Sequence, residues 1–229
     1  MKKNILFAAM LALATPFLIS CSDDESEGKS RITTYAVLEM NGDAYETTQL
    51  GAAYTDPGCT ATMGGEDVSA QVTTIGTVNT NQLGYYKLTY QVLNSDGFPA
   101  TASRTVAVVD KNNFASTYLA ESQYGTRHYF NAPIAISDNG DGTYTIEDLA
   151  GGFYSYGRYP GYDAYGYDFF LEATLKLNAD NTIEVLEQGN WYWGDPMDAI
   201  TSATYAPETG TISLVMEFSG TPFYVTLTK

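Results

Sequence analysis

The chain has 229 residues, of which 27 are acidic and 11 are basic, for a net charge of −16 at pH 7. A chain this acidic repels the phosphate backbone of nucleic acids, so we expect no nucleic-acid partner. With one histidine, His128, and two cysteines, it has too few residues for a multi-histidine metal centre or a His–Cys zinc site. A Ser-His-Asp triad would depend on His128 alone. We therefore expect no metal or other cofactor.

The first twenty residues have the pattern of a secretory signal. A basic start, Met1-Lys2-Lys3, precedes the apolar run 5–19, which is shorter than the roughly 20 residues that span a membrane. The run ends in Leu18-Ile19-Ser20-Cys21, a pattern typical of a lipoprotein cleavage site. The sequence predicts a signal peptide over 1–20, lipidation of Cys21 and anchoring in the outer membrane. An ordinary signal peptide with a chance cysteine is the alternative.

The residues after Cys21 are polar and acidic. Residues 22–31 read SDDESEGKSR, which cannot bury apolar surface, so we predict a lipidated flexible tether over 21–31. Acidic residues next to a lipidated cysteine resemble the export signal of Bacteroidota-type surface lipoproteins. That resemblance implies display at the cell surface, whereas a merely solvated linker is the alternative.

The rest of the chain has the pattern of an all-β protein. Glycine and turn-forming residues recur at short intervals, and no long segment repeats at 3.6 residues. A polar segment at 110–113 separates two β-rich domains, which we place at 32–110 and 111–229. The predicted strands are 34–40, 61–63, 68–75, 85–93 and 102–109 in the first domain, and 115–122, 125–130, 133–137, 143–148, 168–177, 182–188, 211–218 and 222–228 in the second.

The first of these domains resembles a known family. The segment 50–61, LGAAYTDPGCTA, is similar to the G-x-x-Y-x-D-P-G-x-x-A signature of bacterial immunoglobulin-like domains of the hyalin-repeat type, and 84–90 and 104–109 are similar to that family's last two strands. The resemblance implies a seven-stranded β-sandwich that acts as a spacer. It places Tyr86 at the corner tyrosine and Leu88 where antibody domains keep a disulfide cysteine.

The second domain resembles C-terminal domains of unknown function in the same lipoproteins. The similarity is carried by the segment 142–149, GTYTIEDL, followed by Gly151-Gly152. Tight turns between neighbouring strands indicate an antiparallel meander, which forms either a lipocalin-like barrel or a second sandwich. The predicted fold class is therefore all-β, an immunoglobulin-like sandwich followed by a barrel-like or sandwich domain.

Several short motifs have an alternative as turns. Asp56-Pro57-Gly58 and Asp138-Asn139-Gly140-Asp141-Gly142 invite a calcium interpretation, but calcium takes six to eight oxygens and the second motif lacks the distal glutamate of an EF-hand. Both are typical of turns, and Asn41-Gly42 and Asp96-Gly97 are typical of hairpins. Cys59, the other cysteine, is expected to be a small buried apolar residue.

Aromatic residues in the second domain suggest a binding site. Residues 151–170 contain six tyrosines among glycines, and 190–195 reads NWYWGD with both tryptophans of the chain. Tyrosine and tryptophan offer rigid apolar faces with a polar tip, which suits sugars or peptides. In a strand, the W-x-W spacing would put both indoles on one face. The candidate ligand-binding residues are Tyr154, Tyr156, Tyr159, Tyr162, Tyr165, Trp191, Tyr192 and Trp193. The alternative is that these rings pack over the domain's own core.

These features favour a non-catalytic surface lipoprotein that binds a glycan near an outer-membrane nutrient-uptake system. The membrane contact would be made by the lipid anchor, and uptake proteins would be possible partners. A structural or adhesive module that docks a protein is the first alternative. A glycoside hydrolase is the second, because Asp163 and Asp168 in the aromatic segment could supply the two carboxylates that such enzymes use.

Overall fold

The computed structural model describes residues 33–229, so the predicted signal peptide, Cys21 and the acidic tether lie outside the described residues. Two 3₁₀ turns and one π-helix accompany fifteen strands in this part of the chain. The strands are β1 Ala36–Met40, β2 Tyr45–Gln49, β3 Cys59–Met63, β4 Glu66–Asp67, β5 Thr73–Ile75, β6 Gly84–Leu93, β7 Pro99–Val109, β8 Ser116–Tyr124, β9 Arg127–Asp138, β10 Tyr144–Ile146, β11 Ala173–Leu177, β12 Ile183–Gln188, β13 Ala199–Ala206, β14 Thr211–Phe218 and β15 Thr221–Thr228. The helical segments are Ser69–Gln71, Phe153–Arg158 and Tyr162–Tyr165.

The first seven strands form an immunoglobulin-like sandwich. A three-stranded sheet, β1-β3-β4, packs on a four-stranded sheet, β2-β7-β6-β5. Strand β6 shows the predicted alternation, since Leu88, Tyr90 and Val92 are buried and the residues between them are not. Such alternation buries one face of each sheet against the other. The predicted all-β class and its immunoglobulin-like first domain are confirmed.

The family signature in this sandwich builds a buried polar cluster. Arg104 is fully buried on β7, and its Nη1 donates to the carboxylate of Asp56 at 2.9 Å. The same oxygen of Asp56 accepts the Tyr90 hydroxyl at 2.6 Å and the backbone N–H of Gly58 at 3.0 Å. Glu46 lies 3.4 Å from the guanidinium and accepts a hydrogen bond from a second tyrosine. Asp56 therefore joins a turn to two strands. Its carboxylate also supplies the opposite charge that a buried arginine requires.

Three details of the sandwich bear on the sequence predictions. The Tyr86 hydroxyl donates to the carbonyl of Gln82 at 3.0 Å, four residues upstream, as a corner tyrosine does. The predicted strand 68–75 is wrong, because Asp67 accepts the Ser69 N–H at 2.9 Å and starts a 3₁₀ turn before β5. Cys59 is half-buried rather than buried, and burial raises the pKa of its thiol.

The turn at Asn41-Gly42 is not a hairpin. It carries the chain from β1 in one sheet to β2 in the other, where β2 pairs in parallel with β7 from Tyr45 opposite Thr105. Strand β2 was not predicted, because its sequence YETTQ is polar and half-exposed. By contrast, Asp96-Gly97 does join neighbouring strands, β6 and β7, of one sheet.

The last eight strands form one antiparallel sheet in the order β12-β11-β10-β9-β8-β15-β14-β13. Its two edges meet at a single bridge between Thr182 and Thr204, with the Tyr205 N–H donating to the carbonyl of Asn181 at 2.9 Å. The sheet is therefore a nearly closed barrel. Of the two predicted alternatives for this domain, a barrel and a second sandwich, the barrel is confirmed. Its interior is filled by apolar side chains, including Ile134, Leu214 and Val225, as expected for eight strands.

Three strand predictions in this domain were wrong. Segments 125–130 and 133–137 are the single strand β9, which a bulge interrupts near Asn131 at φ 60°. The predicted strand 168–177 begins only at Ala173. Strand β13 was not predicted, because it lies at a sheet edge and a bulge at Thr201 interrupts its alternation. The acidic turn 138–142 joins β9 to β10, and its Asp141 carboxylate accepts the Thr143 N–H at 3.0 Å.

The sandwich and the barrel are joined directly. Strand β7 ends at Val109 and β8 begins at Ser116, whose hydroxyl accepts the Asp110 N–H at 2.8 Å. The Tyr85 hydroxyl of β6 accepts the Tyr118 N–H at 2.9 Å and lies 2.7 Å from the carbonyl oxygens of Tyr118 and Ile134. A sandwich side chain thus bonds the backbone of two barrel strands.

Candidate ligand-binding site

One buried carboxylate holds the loop that carries most of the predicted site. Asp148 is fully buried and accepts N–H groups from Ala150 at 2.9 Å, Gly152 at 2.9 Å and Leu171 at 3.2 Å. Burial raises the pKa of Asp148 to about 7, while these three hydrogen bonds favour the ionised form. The carboxylate therefore ties both ends of the segment 149–171 together.

The glycine pair after Asp148 lets the loop approach the barrel wall. Gly151 and Gly152 have φ values of 60° and 74°, which other residues rarely adopt. A Cβ on Gly151 would lie 2.6 Å from Val225, and one on Gly152 would lie 2.5 Å from Ala132. The Gly-Gly motif of the sequence is thus a close packing contact between loop and barrel.

A π-helix then divides the aromatic residues between core and surface. Over Phe153–Arg158 the hydrogen bonds span five residues, as from the Tyr159 N–H to the Tyr154 carbonyl at 2.8 Å. Phe153 is buried and lies edge-on to Phe223 with ring centroids 5.0 Å apart. Tyr156, three residues later, is exposed. Such π-helical turns are rare in proteins, and those that occur are often found at functional sites.

The two tryptophans lie in a turn, not in a strand. The Trp191 N–H donates to the carbonyl of Asp195 at 3.0 Å, and the Gly194 N–H donates to the carbonyl of Trp191 at 2.8 Å. Trp191 is only 2% exposed and packs edge-on against Phe218 at 4.7 Å, whereas Trp193 is 38% exposed. Their rings are 5.2 Å apart and inclined by 35°, so they do not form a coplanar platform.

Exposed rings from the two segments form one contiguous patch, which we call the aromatic surface. Tyr167 contacts Tyr192 edge-on at 5.0 Å, and buried Phe169 supports Trp193 at 5.8 Å. Tyr162 contacts Tyr167 at 5.9 Å. The aromatic surface consists of Tyr162, Tyr165, Tyr167, Tyr192 and Trp193, which are between 38% and 79% exposed. It lies over the barrel end at which β8 finishes. Trp193 contacts Tyr154, Tyr154 contacts Phe153, and Phe153 packs on Tyr124 at the end of β8 at 6.0 Å.

A cavity of about 220 Å³ adjoins this surface. Two ring pairs contribute to its walls, Tyr156 with Phe170 at 5.7 Å and Tyr159 with Phe169 at 4.9 Å. Its lining residues are Ser155, Tyr156, Tyr159, Pro160, Gly161, Asp163, Tyr167, Phe169 and Phe170. The Ser155 hydroxyl oxygen is buried and has no hydrogen-bond partner among the described residues. The cavity thus combines aromatic walls with one carboxylate, that of Asp163.

The predicted binding residues divide into three groups. Four of them lie on the aromatic surface, namely Tyr162, Tyr165, Tyr192 and Trp193. Tyr156 and Tyr159 line the cavity. Tyr154 is half-buried between the two tryptophans, at 5.1 and 4.7 Å, and Trp191 is in the core. Sequence reasoning did not single out Tyr167, Phe169, Phe170 or Ser155, although all lie in the segment 151–170, because an irregular loop has no period that tells inward from outward positions.

The two carboxylates considered for hydrolysis differ in environment. Asp163 lines the cavity, whereas exposed Asp168 accepts the Phe170 N–H at 2.9 Å. Asp163 is the one carboxylate in the cavity lining, while glycosidases use two. Within 33–229, no group of three or more His, Cys, Asp or Glu side chains is placed to hold a metal ion.

An immunoglobulin-like sandwich joined to an aromatic-capped barrel defines a two-domain protein of the bacterial surface type. Residues 38–108 match the family model for the Ig-like domain of bacterial surface proteins, and 108–229 match a family model for a C-terminal domain. The solved structure of the lipoprotein BT2262 from Bacteroides thetaiotaomicron is 30% identical, with a TM-score of 0.55 over 85% of this chain and 100% of that chain. The chain belongs to the family of this lipoprotein, and its similarities indicate a cell-surface protein.

Other solved structures are much less similar. Two multidomain structures of Clostridium perfringens ZmpB align over 80% and 84% of this chain at TM-scores of 0.28. One contains an M60 catalytic domain with CBM51-1 and CBM51-2, is 14% identical and is covered over 14% of its length. The other contains CBM51-2 with GlcNAc, is 10% identical and is covered over 44%. No curated protein matches the chain. None of the helices within 33–229 is long and apolar enough to cross a membrane.

Proposed function

We propose that the chain is a non-catalytic surface lipoprotein that binds a glycan on its aromatic surface. The observation that carries this proposal is the contiguous patch of exposed rings at the end of a barrel whose interior is already filled. Soluble proteins rarely expose such patches unless they bind something there. Concave sites lined by rings with a few polar groups are the usual form of ligand sites.

A glycan suits this surface better than an apolar ligand. The rings present flat faces to the C–H side of a sugar, and the hydroxyls of Tyr162, Tyr165 and Tyr192 can bond its polar edges. The adjoining cavity has room for roughly seven waters at about 30 Å³ each, which is on the scale of one sugar ring. The surface would hold the chain of the glycan while the cavity takes one unit.

The predicted lipid anchor gives this binding its setting. Cys21, at the end of a secretory signal pattern, would carry acyl chains into the outer membrane, and two or more chains anchor stably. Similarity to a Bacteroides lipoprotein supports this proposal. The sandwich would act as a spacer that presents the barrel at the cell surface, near proteins that take up the captured glycan.

Binding by residues 22–229, which contain every described element, tests the proposal. Affinity gels and calorimetry with neutral polysaccharides and their oligomers should detect a ligand. The combined Tyr162→Ala, Tyr192→Ala and Trp193→Ala variant should weaken binding at least ~10-fold, because each stacked ring contributes roughly 0.5–1.5 kcal/mol. We expect an unfolding temperature close to that of the original chain, since all three rings are exposed.

Tyr45→Ala is the matched control, because Tyr45 is 43% exposed on the sandwich and should not affect binding. Glycan binding that survives the triple variant would refute the aromatic surface as the site. A stable protein partner captured from outer membranes, with no glycan affinity in the panel, would refute the glycan and favour a docking module.

A further inference from the structure

We propose that the cavity beside the aromatic surface binds a protonated amine, so that the preferred glycan carries free amino sugars. This inference deepens the proposed function and rests on it. It follows from two features of the cavity: its aromatic walls and the carboxylate in its lining.

The walls are built to stabilise a cation. Five aromatic residues line the cavity, and their rings differ in inclination, by 73° between Tyr156 and Phe170 and by 5° between Tyr167 and Phe169. A ring face attracts a cation within about 6 Å of its centroid, and cages of several rings are the usual recognition site for alkylammonium groups. The loop already uses one ring this way, since Arg158 lies 5.3 Å from the Tyr159 centroid.

The charge around the cavity is negative. Asp163 is in the lining and no lysine or arginine is, although Arg158 contacts the Tyr159 ring from the same π-helix. Burial and the nearby carboxylates of Glu147, Asp148 and Asp163 raise the pKa of the Tyr156 hydroxyl to about 12. The Asp163 carboxylate, which opposes a tyrosinate at Tyr156, also favours a bound ammonium group.

The carboxylate in the lining distinguishes a protonated amine from a quaternary one. An –NH₃⁺ group can donate a hydrogen bond to the Asp163 carboxylate, whereas a trimethylammonium group has no N–H to donate. A carboxylated or sulfated sugar would meet Asp163 and be repelled.

Three oligosaccharides with the same β-1,4 backbone test the proposal on residues 22–229. Calorimetry at about pH 6 would compare oligomers of glucosamine, N-acetylglucosamine and glucose, which differ only in the group at C2. We expect the glucosamine oligomer to bind at least tenfold more tightly than the other two. Added salt should reduce this preference, and choline chloride should displace the oligomer less well than free glucosamine does.

Two variants locate the effect. Asp163→Asn should cost the glucosamine oligomer about tenfold and leave the neutral oligomers within twofold. Tyr156→Leu, which keeps an apolar wall but removes the ring, should also weaken the glucosamine oligomer selectively. Asp168→Asn is the matched control, because it removes the same charge from the same loop at a residue outside the cavity lining.

The outcomes separate this inference from the proposed function. Equal affinity for the three oligomers, or failure of the glucosamine oligomer alone, overturns the amine site and leaves glycan binding intact. Equal losses in Asp163→Asn and Asp168→Asn would assign the preference to the general acidity of the chain, and displacement by choline as strong as by glucosamine would show that no N–H group is donated to Asp163. Failure of every glycan, including those of the wider panel, overturns both.

Discussion

Asp148 is the residue whose side chain makes the most hydrogen bonds to the backbone of the loop below the aromatic surface. Its three acceptor bonds reach two positions just after it and one position 23 residues later. No other side-chain type of this size offers acceptors alone on both oxygens. An amide in its place would turn one acceptor into a donor that faces the Gly152 N–H.

Asp148→Asn should also make the stability of the barrel depend less on pH, because an amide does not titrate in this range. The pKa of Asp148 is raised from 3.8 to about 7 in the folded chain, so the contribution of this group is fully present below about pH 3.8 and is lost as the pH rises through 7. We expect the unfolding free energy of the original chain to exceed that of the variant by more at about pH 4 than at about pH 8. At ~1.4 kcal/mol per unit, the difference should change by up to about 4 kcal/mol.

Urea unfolding of both chains at several pH values measures this difference. The control is Asp168→Asn, which removes an exposed carboxylate from the same loop. A difference between the original chain and Asp148→Asn that grows as the pH rises would show that Asp148 is stabilised as a carboxylate, with its hydrogen bonds outweighing its burial.

The sequence predicted single residues well where their partners are close and poorly where they are distant. Tyr86 bonds four residues upstream and was placed correctly from the family pattern. Asp56 was predicted only as part of a turn, which it is, but its bonds to Tyr90 and Arg104 span 34 and 48 residues. Pairing over such distances depends on sheet register, which a turn motif does not contain.

At the scale of elements, the barrel closes by a side chain as well as by strands. Beyond the bridge at Thr182 and Thr204, strands β12 and β13 share no ladder. Each carries a bulge, β12 at Leu186 and β13 at Thr201, which interrupts its regular edge. At the other end of this gap, the Gln188 amide donates to the Met197 carbonyl at 3.0 Å and accepts the Met197 N–H at 3.1 Å. The Gln188 side chain thus makes the two hydrogen bonds that a backbone residue of a paired strand would make.

Gln188→Ala should open this gap without unfolding the barrel. The variant removes both hydrogen bonds to Met197, whose side chain is buried in the core, so we expect a loss of about 1–3 kcal/mol in unfolding free energy. Amide exchange, followed by NMR, should become faster at Met197 and along β13, while β8 and β9 stay protected. Gln123→Ala, at an exposed position of β8, is the control, and unchanged exchange at Met197 would show that the gap is closed by other contacts.

Element prediction failed where strands are polar and lie at a sheet edge, or where burial is irregular. Regular strands such as β6, β14 and β15 were placed within two residues because their side chains alternate clearly. Strands β2 and β13 were missed, since each lies at the edge of its sheet and carries many polar residues. The π-helix was missed because tyrosine and glycine spacing does not encode a five-residue hydrogen-bond step. The aromatic segment was predicted as a site, but which rings face outward was not.

At the scale of the whole molecule, the contact through Tyr85 links two folded parts that the sequence shows only as neighbours. The hydroxyl is largely buried, which raises the pKa of Tyr85 well above its usual range. It satisfies backbone groups on both β8 and β9. Interfaces between domains of one chain are often mobile, but a buried hydrogen-bonded contact of this kind opposes a hinge.

Tyr85→Phe should uncouple the two parts. The ring remains, but the Tyr118 N–H loses its partner, at a cost of about 1–3 kcal/mol. We expect one cooperative transition in calorimetry of the original chain and two separated transitions in the variant. Tyr86→Phe is the control, because the neighbouring hydroxyl bonds within the sandwich and its loss should lower stability while leaving one transition. Two transitions in the original chain would contradict the coupling.

Strand β8 connects this contact to the aromatic end. It meets the sandwich at Tyr118 and ends at Tyr124, whose ring packs on Phe153 of the loop, a length of ~20 Å at about 3.4 Å per residue. The covalent path from the sandwich to the aromatic loop runs through β8, β9 and β10. Ladder hydrogen bonds are perpendicular to the strands, so a load applied along β8 would shear those to β9 and β15 together instead of opening them one at a time. The pairing of β8 is thus suited to bearing tension along the strand.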